Sequence, residues 1–98
     1  MKLLTKEIEK TIPALYNQES KGMDAIVYVK FFTPFSSWTW YATEYDPKEQ
    51  IFFGYVIGFE REFGYFSLDE LESVEGPFGP AIERDLYFKP KPLREALK

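Results

Sequence analysis

SWTWYATEYDPKEQIFFGYVIGFEREFGYFSLDEL, residues 37–71, is the stretch that decides the fold. From Ser37 to Tyr45, Trp38, Trp40 and Ala42 alternate with Thr39, Tyr41, Thr43 and Tyr45, and both sets suit a pleated, half-buried strand. Asp46-Pro47-Lys48-Glu49 is a turn in which proline pre-sets the backbone angle of the second position. Gln50 to Phe59 forms the next strand, and Glu60-Arg61-Glu62 turns the chain into a shorter one, Phe63 to Phe66. None of these connections can hold a crossover helix, so the strands are expected to be antiparallel neighbours in a meander. Gly54 and Gly58 interrupt a strand where a large neighbour or a bulge needs room. Ser67-Leu68-Asp69-Glu70 is a capping box: the serine oxygen takes the third amide of a helix while Glu70 reaches back to the Ser67 amide. Leu68, Leu71 and Val74 would face inward from that helix.

Working outward, Asp24 to Thr33 reads as the first strand, with Ala25, Val27, Val29 and Phe31 on one face and Ile26, Tyr28, Lys30 and Phe32 on the other. Upstream, Thr5 caps a short helix, Lys6 to Lys10, which Pro13 obliges to end or kink near Thr11. Leu4, Ile8, Ile12 and Leu15 recur at helical spacing. Downstream, Gly76-Pro77-Phe78-Gly79-Pro80 is a loop and Ala81 to Phe88 alternates like an edge strand. Pro92 opens a last helical turn, Leu93 to Leu97. The expected architecture is α+β: one domain, residues 1–98, with an antiparallel meander sheet of four to five strands. A short helix precedes the sheet and a second short helix follows the fourth strand.

Composition narrows the chemistry. The 98 residues contain no His and no Cys. The chain thus offers no thiolate nucleophile, no imidazole base, no disulfide and no ordinary structural zinc site. Hence no enzyme activity, cofactor or metal is expected. Neither a signal-peptide core nor a membrane span stands in the sequence, and a cytoplasmic protein is the expectation. The net charge of −4 is unevenly spread: residues 44–85 hold eleven acids against Lys48, Arg61 and Arg84, a balance of −8, whereas residues 86–98 carry +3. Such an acidic field repels phosphate backbones and suits a basic protein surface as partner, or simply keeps an aromatic-rich domain in solution.

Two Trp, seven Tyr and ten Phe are many for one small core. Trp38, Trp40, Tyr41 and Tyr45 are the candidate contact aromatics, either exposed on a sheet face as a protein-binding surface or covered by a helix. Glu60, Glu62, Asp69 and Glu72 are the candidate acidic contacts. Phe53-Gly54-Tyr55-Val56 matches part of an RNA-stacking strand motif, but Ile51 and Phe52 stand where a basic residue and a glycine belong. The carboxylate pairs Glu44/Asp46, Glu60/Glu62 and Glu83/Asp85 have the spacing of hydrolytic or metal-assisted sites, a cheap pattern in a chain with 16 acids.

LLTKEIEKTIPALY, VKFFTPFSSWTWYATEYD, FFGYVIGFEREFGYFSLDELESVEGPFG and IERDLYFKPKPL together resemble a small bacterial family catalogued as a domain of unknown function. The resemblance covers roughly Leu3 to Leu93, and that family is met mostly in phages, plasmids and conjugative elements. It implies an accessory role on a mobile element. The expected function is therefore a non-enzymatic interaction protein with a protein partner, in its sharper form an acidic inhibitor of a host defence nuclease. The alternatives are a single-strand nucleic-acid binder stacking bases on Trp38, Trp40, Tyr41 and Tyr55, and a metal-dependent hydrolase. A monomer or a homodimer is compatible with the sequence.

Overall fold

A computed structural model describes residues 2–98. Helix α1 (Lys6–Thr11) starts where Thr5 Oγ1 accepts the Ile8 amide at 3.2 Å. A 3₁₀ segment (Glu19–Asp24) leads into the short strands β1 (Ile26–Val27) and β2 (Val29–Phe32). Strands β3 (Thr39–Asp46), β4 (Ile51–Ile57) and β5 (Arg61–Ser67) form the antiparallel meander. The capping box holds as read: Ser67 Oγ accepts the Glu70 amide at 3.0 Å, Glu70 Oε1 accepts that of Ser67 at 3.3 Å, and helix α2 (Leu68–Ser73) follows.

Beyond α2 the regular structure is shorter than expected. The glycine-proline loop is a small hairpin of β6 (Glu75–Gly76) and β7 (Gly79–Pro80). Of the strand expected over residues 81–88, only β8 (Glu83–Arg84) forms, pairing with β2. Strand β9 (Lys91–Pro92) pairs with β1, and α3 (Leu93–Ala96) closes the chain. The main sheet has the order β5-β4-β3-β2-β8, so the fold is α+β with a five-stranded antiparallel sheet, a short N-terminal helix and a short helix after the strands. No helix of the described residues is long and apolar enough to cross a membrane.

The sheet has a core on each face, which explains why β3 is buried continuously from Trp40 to Tyr45. The larger core joins Phe31, Trp40, Tyr45, Phe52 and Phe66 to Leu68 and Leu71 of α2 and to Ile12 beyond α1. The smaller one joins Val27, Tyr41 and Leu93, with Tyr55, Phe88 and Leu97 at its margin.

A β-bulge sorts residues between the two. Ala42 pairs with Gly54 but Glu44 pairs with Phe53, so Thr43 is an extra residue. An extra residue inverts the alternation, and Tyr45 joins Trp40 in the larger core instead of sharing a face with Tyr41. The first strand breaks opposite the same point, where the Tyr28 amide donates to the Ala42 carbonyl at 2.9 Å. Val27 and Val29, expected on one face, consequently fall in different cores.

Candidate functional site

In a meander, alternate turns lie at the same end of the sheet, so the β2–β3 connection and the β4–β5 turn are neighbours. The β6–β7 hairpin meets the β2–β3 connection there, and the two enclose an apolar groove of about 480 Å³ lined chiefly by Phe35, Trp38, Trp40, Val74, Pro77 and Ile82, while the β4–β5 turn packs against Trp38. Two glycines shape it. A Cβ on Gly58 would overlap the Trp38 indole, and one on Gly76 would press on the Phe35 ring and Ala81. Each ring lies close against bare backbone, an approach that only glycine permits.

The groove is aromatic and open. Trp38 and Trp40 have ring centroids 5.8 Å apart, and Phe59 meets Trp38 edge-on at 5.3 Å. Phe59 is 95% exposed, and Phe35 and Phe78 are exposed as well. Phe35, which lines the groove, and Phe59, which packs on Trp38, are site residues that the sequence reading did not single out. Their signal was present: aromatics between turn formers, as in Pro34-Phe35-Ser36 and Gly58-Phe59-Glu60, have no strand neighbour to cover them.

The eight residues singled out from sequence do not form one surface. Trp38 and Trp40 lie in the groove, Trp38 half-buried and Trp40 only 9% exposed. Glu60 closes the adjacent turn, its carbonyl accepting the Gly58 amide at 2.9 Å. Glu62 pairs with Val56, which pairs with Trp40, so all three share a sheet face. Tyr41 is buried on the other face. Tyr45 lies at the far end of the strand, where Asp69 and Glu72 add their charge to that of Glu9 and Asp46 around its ring. The structure thus brings Trp38 and Trp40 together in the groove, with Glu62 on the same sheet face and Glu60 in the adjacent turn, sets Asp69 and Glu72 apart with Tyr45, and leaves Tyr41 with neither group.

Among the described residues no lysine or arginine forms an ion pair with Glu60, Glu62, Asp69 or Glu72; the pairs that form are Lys30–Asp85, Arg94–Asp24 and Lys98–Glu95. Of the carboxylate pairs noted in the sequence, Glu44, Asp46 and Asp85 are engaged with backbone amides. Glu44 is 2% exposed and accepts the Tyr16 and Gln18 amides at 2.8 and 2.7 Å. Asp46 accepts the Lys48 amide in its turn, and Asp85 that of Tyr87. No group of three or more acids among the described residues is arranged to hold a metal ion.

Neither a curated protein nor a solved structure matches the chain. A family described as "Protein of unknown function (DUF2958)" matches residues 3–95. With that match spanning nearly the whole of the sheet, its helices and the Trp38 groove, the chain belongs to the DUF2958 family.

Proposed function

We propose that this protein is a non-enzymatic interaction module whose Trp38 groove receives a protein segment with an apolar anchor and flanking basic residues. The observation that carries the reading is the groove itself: a concave apolar surface floored by two tryptophans, with Glu62 on the sheet face of Trp40, Glu60 in the turn that packs against Trp38, and no cation among the described residues paired to either. Trp side chains in partly closed pockets are the usual anchors of protein interfaces, and unpaired acids nearby speed and orient a basic partner. In its finer form the module is an accessory protein of a mobile genetic element, and the partner is a host defence nuclease whose basic nucleic-acid groove it occupies.

The test is a photo-crosslinking residue at Phe59, with one at the distant Tyr87 as reference, followed by affinity measurement with the purified captured protein. Trp38→Ala is expected to weaken that affinity by about 30-fold, the effect of a 2 kcal/mol anchor. The double reversal Glu60→Lys/Glu62→Lys should slow association and flatten its salt dependence. An affinity indifferent to both changes ends the reading. Tryptophan quenching by oligonucleotides at low salt would instead favour a single-strand nucleic-acid binder. The nuclease form requires that the captured partner lose nucleic-acid binding when this protein is added.

A further inference from the structure

The two edges of the five-stranded sheet are built differently. Strand β8 is two residues long and lies just beyond Pro80, so it presents almost no free ladder. Strand β5 is seven residues long, contains neither proline nor lysine, and among the described residues has no strand paired on its outer side. Two backbone bonds at the ends of the β4–β5 hairpin fix which of its groups are free. Gly58 N–H donates to the Glu60 carbonyl at 2.9 Å, and Leu68 N–H donates to the Gln50 carbonyl at 3.0 Å.

Hydrogen-bonded pairs alternate along an antiparallel ladder. In the register Val56↔Glu62, Gly54↔Gly64 and Phe52↔Phe66, the even-numbered residues of β5 are therefore those bonded to β4. Arg61, Phe63 and Tyr65 direct their N–H and C=O groups outward, where nothing among the described residues pairs with them. Phe63 and Tyr65 also expose their rings in a ladder with Phe53 and Tyr55, at centroid distances of 6.0 Å (Phe53–Phe63), 5.0 Å (Phe53–Tyr65) and 5.1 Å (Tyr55–Phe63).

We infer that β5 pairs antiparallel with β5 of a second copy of this chain, in the register centred on Phe63. In that register every outward residue meets an outward residue. Arg61 opposes the partner's Tyr65, Phe63 opposes the partner's Phe63, and Tyr65 opposes the partner's Arg61. Registers shifted toward α2 would need the Ser67 amide, which Glu70 already holds at 3.3 Å.

Side chains agree with the backbone. The Arg61 guanidinium reaches the ring of the partner's Tyr65, a cation–π pair. On the other sheet face Glu62 opposes the partner's Gly64, where a Cβ would have no heavy atom within 4 Å, so the longer side chain has room. A foreign strand could satisfy the amides, but these pairings are self-complementary, as an isologous interface requires. One feature opposes association. Glu62 and the partner's Glu62 become diagonal neighbours about 7–8 Å apart, so salt should tighten the dimer by screening them.

Sedimentation equilibrium of the full chain across micromolar to millimolar concentration, at low and high salt, tests the proposal. The expected result is a monomer–dimer equilibrium that shifts toward dimer with salt. Amide exchange at Arg61, Phe63 and Tyr65 should slow as concentration rises, while exchange at Glu62, Gly64 and Phe66 stays constant. Tyr65→Pro removes one outward N–H and spares the β4 ladder, so it should abolish the dimer. Glu62→Gln should tighten it severalfold at low salt, a gain that misfolding cannot mimic and that decides the matter if the proline variant fails to fold. A monomer at every concentration, or exchange at the three outward amides independent of concentration, overturns the proposal.

Discussion

Tyr45 is 2% exposed, and its hydroxyl is the buried side-chain polar atom that lacks a hydrogen-bond partner among the described residues. Burial raises its pKa above the ordinary 10.0, and the charges of Glu9, Asp46, Glu72 and Asp69 raise it further. Burial also raises Tyr41, against the opposing charge of Arg61 and with a smaller push from Asp85. Both folded-state values lie above the unfolded one, so the fold favours the neutral phenols. That contribution is complete below the unfolded value of 10.0 and is lost as pH climbs through the folded values. Tyrosinate absorbance from these two rings should therefore rise together with loss of circular dichroism; their ionisation in an intact fold would contradict this. Tyr45→Phe removes a hydroxyl that forms no bond, so thermal melts should show stability unchanged or raised by up to about 1 kcal/mol. The role of Gly58 beneath a large neighbour was legible from its place in an aromatic strand. The hydroxyl's isolation was not, because it depends on how α1 and α2 close over the end of β3.

At the scale of elements, the bulge is the feature with the widest consequences. Glu44 lies just past it, and its carboxylate gathers the loop that links α1 to β1. Tyr16 and Gln18 donate their amides to it, and the Gln18 side chain donates to the Ile26 and Thr43 carbonyls at 2.9 and 2.8 Å. Tyr16 sits at φ 76°, a left-handed conformation that the bond to Glu44 helps to hold. Glu44→Ala strands two backbone donors and should cost upward of about 2 kcal/mol in chemical denaturation. Ser67→Ala, which removes the α2 cap, should cost only about 1 kcal/mol. A Glu44→Ala loss no larger than that of Ser67→Ala would show that the loop does not depend on this carboxylate. The capping box could be read from four consecutive residues because all its bonds lie within them. The bulge could not: strict alternation is equally regular on either side of an inserted residue, and only the partner strand reveals which residue is extra.

Across the whole molecule, two cores of unequal size share one sheet. The smaller depends on the last residues of the chain: Leu93 is fully buried against Val27 and Tyr41, and β9 holds α3 to β1. Leu93→Ala should destabilise by about 2–5 kcal/mol, the cost of a buried cavity, and a thermal melt unchanged by it would place α3 outside the cooperative unit. The three meander strands, both caps and the acid-rich middle were readable along the chain, since propensity, turn chemistry and charge act between near neighbours. The assembly of Trp38, Phe35 and Phe59 into a groove was not, nor was the separation of Tyr41 from Tyr45, nor the contrast between the short β8 edge and the open β5 edge. Each depends on which distant residues share a sheet face or a sheet end, and register and a single bulge set that only when the strands pair.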